Sequence, residues 1–141
     1  MISINLNFEL IYEDMSFLFM GCTSLHDLQI PHFFDFLDIP YTKYLNGLFL
    51  DCQSLYDVEI IRNGIYSEKL VDISYMFAGS GFLMINFAHS NTTNVINYKG
   101  LFYDCPNLSS IDISSFTHND LPDSNLSIFK GDYRSDPVVI I

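Results

Sequence analysis

Apolar residues in this chain recur in one register. The stretch at residues 45–60, LNGLFLDCQSLYDVEI, has near copies at 15–30 (MSFLFMGCTSLHDLQI), 73–87 (ISYMFAGSGFLMINF) and 98–113 (YKGLFYDCPNLSSIDI). A degraded copy, NLSIFKGDYRSDPVVI, lies at 125–140. The shared frame is an apolar residue, a Phe, a Gly or Asp two places later, a Cys or Ser, and then Leu-x-x-Leu-x-Ile. Phe19, Phe49, Phe77, Phe102 and Phe129 mark it, separated by 30, 28, 25 and 27 residues. A period of this size predicts a solenoid of stacked repeats.

Each copy carries two expected elements. The apolar pairs Met15/Leu18, Leu45/Leu48, Ile73/Met76, Tyr98/Leu101 and Leu126/Phe129 lie three apart, the spacing of one helix face. Asp14, Asp72, Asn97 and Ser124 stand five residues before their Phe, in N-cap position; Tyr44 is the misfit. A short helical turn is therefore expected to open each copy. Gly21, Asp51, Gly79, Asp104 and Gly131 follow the Phe by two and would close the turn with positive φ, at low cost for Gly and higher cost for Asp. The endings Leu28/Ile30, Val58/Ile60, Ile85/Phe87, Ile111/Ile113 and Val138/Ile140 predict short strands. These stack in parallel, because every connection passes through the same turn. The third copy is one residue short, so its turn is expected to be tighter. Residues 2–12 alternate through Ile4, Leu6, Phe8 and Leu10, which predicts a strand capping the open end.

The frame Phe-x-x-Cys-x-x-Leu-x-x-Leu-x-Ile, after an Asp- or Asn-initiated turn, resembles the BspA-type leucine-rich repeat. It is closest at residues 48–55 (LFLDCQSL) and 101–116 (LFYDCPNLSSIDISSF). Asn91-Thr92-Thr93-Asn94-Val95 is similar to that family's Thr-Ser-x-Val connector. The likeness covers about 14–129; Ser80 and Asp132 depart from it at the Cys position. It implies a non-catalytic recognition scaffold of the kind found in bacterial and protist surface proteins. The fold class expected is thus a leucine-rich-repeat-like solenoid. Short parallel strands would alternate with short helical turns, in about five repeats plus an N-terminal cap strand, as one domain over residues 1–141.

Charge narrows the partner. The formal net charge is −11, from 17 acidic and 6 basic residues, which argues against direct nucleic-acid binding and favours a basic protein partner. Cys22, Cys52 and Cys105 share one repeat position and read as a ladder of small, reduced, buried thiols rather than metal ligands. His26, His32, His89 and His118 have no ligand spacing, and no phosphate loop or nucleophile elbow is present. No catalytic, cofactor or metal residue is therefore expected. Neither a secretory signal nor a run of ~18 apolar residues is read, so the expected setting is inside a cell, or the cell surface if a leader was removed.

By the two-residue strand period, Asp27 and Gln29, Asp57 and Glu59, Met84 and Asn86, and Ser110 and Asp112 face outward. Stacking would put Gln29, Glu59, Asn86 and Asp112 in one column and Asp27, Asp57, Met84 and Ser110 in the next. Aligned acids repel, so the columns are either a binding strip for Lys and Arg groups or a solvated face. The connector at 31–43 carries Phe33, Phe34 and Phe36, which make an extra turn, an exposed patch or a fold-back onto the core. The candidate partner-binding residues are Asp27, Gln29, Asp57, Glu59, Asn86, Asp112, Phe33, Phe34 and Phe36. The expected function is a non-enzymatic module that binds a basic protein. The alternatives are an acidic inhibitor mimicking nucleic acid in the groove of a nucleic-acid enzyme, or a fragment of a secreted adhesin.

Overall fold

Every second backbone N–H after Asp14, Tyr44 and Asp72 points out of its own segment toward the next copy. The computed structural model describes residues 2–5, 13–29, 37–38, 41–56, 65–66, 68–88, 90–116 and 139–140. Met15, Phe17, Phe19 and Gly21 donate to the carbonyls of Tyr44, Asn46, Leu48 and Leu50 at 2.8–3.0 Å. Leu45, Gly47, Phe49 and Asp51 donate likewise to Asp72, Ser74, Met76 and Ala78. Ile73, Tyr75, Phe77 and Gly79 donate to Asn97, Lys99, Leu101 and Tyr103. The intervening N–H groups turn inward to the carbonyl three residues back, as in Leu48 to Leu45, Leu50 to Gly47 and Cys52 to Phe49. Each segment is thus a run of overlapping β-turns, and four of them, at 14–22, 44–52, 72–80 and 97–105, lie on one another. Parallel bridges Asp14–Tyr44, Tyr44–Asp72 and Asp72–Asn97 hold their starts in register.

This corrects the fold class expected from sequence. The described residues contain no helix, and their strands do not alternate with helical turns in a leucine-rich-repeat-like solenoid. Two positions in every turn segment have positive φ: Phe17, Gly47, Tyr75 and Gly100, then Gly21, Asp51, Gly79 and Asp104. A left-handed residue every fourth position is incompatible with a right-handed helix. The apolar spacing of three marks the ends of a β-turn here, since Leu48, Met76 and Leu101 each donate to the residue three before. Among the described residues, the expected N-caps cap no helix. Asp14, Asp72 and Asn97 accept the N–H of Ser16, Ser74 and Lys99, two residues on, at 2.8, 2.8 and 3.2 Å, which forms Asx turns.

Among the described residues, strands are short and fall into three separate sheets. β1 (Ile2–Asn5) pairs in parallel with β2 (Leu25–Gln29), and β3 (Leu37–Asp38) with β4 (Ile65–Tyr66). β5 (Met84–Asn86), β6 (Ser110–Asp112) and β7 (Val139–Ile140) form the third, also parallel. The expected rung at 57–60 and the turn of the fifth copy, with Phe129, lie outside the described residues.

The core runs through the turn segments. Phe19, Phe49, Phe77 and Phe102 stack with ring centroids 5.6, 5.9 and 6.1 Å apart and planes within 19°. Stacked aromatic pairs contribute about 0.5–1.5 kcal/mol each beyond the area they bury. Buried Phe82 meets Phe77 edge-on at 5.3 Å, where the third copy is short. Gly81 makes that tighter path possible, because a Cβ there would overlap the Gln53 carbonyl. Buried Cys52 donates its thiol to the Phe19 carbonyl at 3.0 Å, and Cys105 donates to Phe77 at 3.1 Å. Cys22 is half-buried.

Candidate binding groove

The two columns of left-handed residues run down one face, and each alternates a side chain with a glycine. The first reads Phe17, Gly47, Tyr75, Gly100; the second reads Gly21, Asp51, Gly79, Asp104. Each segment therefore has one glycine and one side chain at its two strained positions, exchanged from one segment to the next. Packing accounts for the alternation. The Phe17 ring lies on Gly47, the Tyr75 ring lies on Gly100, and the Asp51 carboxylate lies over Gly79; a Cβ at any of these glycines would overlap the group above it. Aromatic residues at positive φ are outliers, and covering the next glycine is the contact that offsets their strain.

Gly79 leaves a gap in the second column, and a groove of about 700 Å³ opens there. Leu50, Ala78 and Gly79 line it together with Asp51, Tyr75, Lys99, Tyr103 and Asp104. Tyr75 and Tyr103 meet edge to face at 6.3 Å and 68°. Asp51, Lys99, Tyr103 and Asp104 are exposed, Tyr75 is half-buried and Ala78 is buried. Asp51 and Asp104 are two segments apart, roughly 10 Å by the ~4.8 Å spacing of paired backbones. The salt bridge found among the described residues, Lys43 to Glu13 at 2.8 Å, lies elsewhere.

The residues nominated from sequence are only partly brought together. Asn86 and Asp112 are in-register partners on β5 and β6, as are Met84 and Ser110. Both polar side chains serve their own turns. Asn86 Oδ1 accepts the Ala88 N–H at 2.7 Å, and Asp112 Oδ1 accepts the Ser114 N–H at 3.0 Å and hydroxyl at 2.6 Å. Asp27 and Gln29 lie on β2, opposite Ser3 and Asn5, in a different sheet. Asp57, Glu59, Phe33, Phe34 and Phe36 lie outside the described residues. Asp51, Tyr75, Tyr103 and Asp104 were absent from that set, because Asp51 and Asp104 read only as turn closers. The signal available was the alternation of Gly with Asp two residues after each Phe.

Among the described residues, no three His, Cys, Asp or Glu side chains are grouped to hold a metal ion, and no helix is long and apolar enough to cross a membrane. Comparison with family models, with curated proteins and with solved structures finds no match. The resemblance to BspA-type repeats therefore rests on the residue pattern alone.

Proposed function

We propose that this chain is a non-enzymatic interaction module whose partner is a protein with a basic surface. The observation that supports it best is the groove at Gly79, where Asp51 and Asp104 stand beside two tyrosine rings on a chain of net charge −11. Aromatic side chains are favoured at interfaces because they bury area with little loss of rotamer freedom. Carboxylates beside them select a cationic partner and speed its approach.

Two sets of acids are candidates for the contact: Asp51 and Asp104 of the groove, and Asp27, Asp57, Glu59 and Asp112, which the sequence pattern nominates. The test is capture of a partner from host lysate on immobilised protein, with three variants in parallel. One carries Asp51→Asn and Asp104→Asn, the second carries Asn or Gln at Asp27, Asp57, Glu59 and Asp112, and the third combines them. A basic partner that elutes with added salt, and that at least one variant binds about tenfold or more weakly (about 1.4 kcal/mol), is the expected result. Undiminished binding by the combined variant, or a partner without basic character, overturns the proposal. Competition by DNA or RNA for the captured partner would redirect it to the nucleic-acid-mimicking inhibitor.

A further inference from the structure

The geometry points to the Gly79 groove as a receptor for one arginine side chain of an extended partner segment. The assignment rests on the chain being a module for a basic partner, and it names the group that would be read.

Four features select a guanidinium. The Asp51 carboxylate overhangs Gly79 at one end, and only a residue without a Cβ leaves room for it there. Tyr75 and Tyr103 form the walls, crossing at 68°, so one ring offers its edge where the other offers its face. A planar cation can lie against one face while the edge of the second ring bounds it. A compact ammonium gains less from this shape, and a methylated ammonium is best served by several faces around it. Half-buried Leu50 provides apolar surface for the methylene stem. Asp104 carries a second carboxylate at the far end, so that the guanidinium pairs with Asp51 while the segment beyond it runs toward Asp104.

Lys99 sets the affinity. It is exposed at the groove and carries the same sign as the proposed guest. Two carboxylates and one ammonium leave the groove one net negative charge, and removing the lysine raises that to two. Lys99 is then a built-in competitor whose loss improves binding, whereas a residue that merely supports the fold would weaken binding when replaced.

The test is titration of the full chain with acetyl-Gly-Arg-Gly-amide, followed by residue-resolved NMR. The same peptide with lysine, and with citrulline, which keeps the plane and loses the charge, are the comparison probes. The expected result is shifts at Tyr75, Gly79 and Tyr103, with arginine bound about fivefold or more tightly than lysine and citrulline not bound. Asp51→Asn should weaken arginine binding about tenfold (about 1.4 kcal/mol), and Lys99→Gln should tighten it about threefold. Intact Phe49 and Phe77 signals in both variants establish that they remain folded. Equal binding of arginine and lysine, binding undiminished by Asp51→Asn, or weaker binding by Lys99→Gln overturns the arginine receptor. None of those results touches the broader proposal, which fails only through the captured partner. A captured partner that lacks basic character, beside a groove that binds the arginine peptide as described, would overturn the interaction module alone.

Discussion

Among the described residues, the turn side of this molecule pairs as one unbroken ladder, while the strands fall into three separate sheets. On the turn side, backbone pairing passes without a break from Asp14 through Tyr44 and Asp72 to Asn97. On the strand side, β2 pairs with the N-terminal β1, while β5 and β6 belong to a different sheet. Chain length explains the contrast. The segments 14–22, 44–52, 72–80 and 97–105 each have nine residues, whereas the stretches between them have 21, 19 and 16. A ladder needs each layer to match the next, and the turn segments keep one length through all four layers. The repeat is therefore constant in length through the turn segments and variable between them.

The largest test of that contrast is in the phenylalanine stack. Phe77 is fully buried, with Phe49 and Phe102 on its two sides. Phe77→Ala should cost about 3–5 kcal/mol in chemical denaturation, through the cavity it leaves. Phe19 is slightly exposed, so Phe19→Ala should cost less, nearer about 3 kcal/mol, because a more open site relaxes more fully. Equal losses would show that the four rings are not one column.

Next in size is the alternation of glycine with side chains. Gly100→Ala combines a positive φ with overlap on the Tyr75 ring, and should cost about 2–3 kcal/mol. Gly21 has the same sign of φ and open space around it, so Gly21→Ala should cost only about 1 kcal/mol. Adding Tyr75→Ala to Gly100→Ala should recover part of the larger loss, read as a coupling energy in a double-mutant cycle. Simple additivity would contradict the ring-on-glycine contact.

A smaller effect separates cross-layer from local polar bonds. Asp72 accepts Ser74 N–H within its turn and Asn97 Nδ2 from the next segment, at 2.8 and 3.1 Å. Asn86 Oδ1 serves its own turn on the strand side. Asp72→Ala should cost about 1–2 kcal/mol and Asn86→Ala about 0.5–1 kcal/mol by thermal denaturation. A reversed order would argue that the strand side carries the register.

The Cys52 thiol should leave stability independent of pH near neutrality and lower it in alkali. Burial, reinforced by Cys22 and Asp51, pushes its thiol up to about 12 from an ordinary value near 9.0. A raised folded value means that the protonated thiol stabilises the fold. That contribution is intact below the unfolded value of about 8.5–9 and is lost as pH rises toward about 12. Melting temperature should fall more steeply over that window in the wild type than in Cys52→Ala. Parallel profiles would place the thiol in water.

Sequence pattern located the core and mistook the backbone that carries it. The Phe register, the positive φ after it and the pairing of Asn86 with Asp112 were all legible, because each follows from one fixed spacing. The helical turns were a misreading with a physical cause: apolar residues three apart flank a β-turn as well as one helix face. Gly47 and Gly100, two residues before their Phe, were the overlooked warning, since glycine is a poor interior helix residue. The groove was harder to see. Asp51 and Asp104 lie 53 residues apart, and only the in-register segment between them, with a glycine at the matching place, makes them two ends of one feature.

Alternate N–H groups leave their own segment and bond to the next. Scalar couplings across hydrogen bonds, measured by NMR on isotope-labelled protein, test this directly. The expected couplings join the Phe49 nitrogen to the Met76 carbonyl carbon, and Phe77 to Leu101, with the Leu48 and Met76 nitrogens coupled to Leu45 and Ile73. Couplings from Phe49 to Leu45 and from Phe77 to Ile73 would be those of a helix, and would contradict the stacked-turn account.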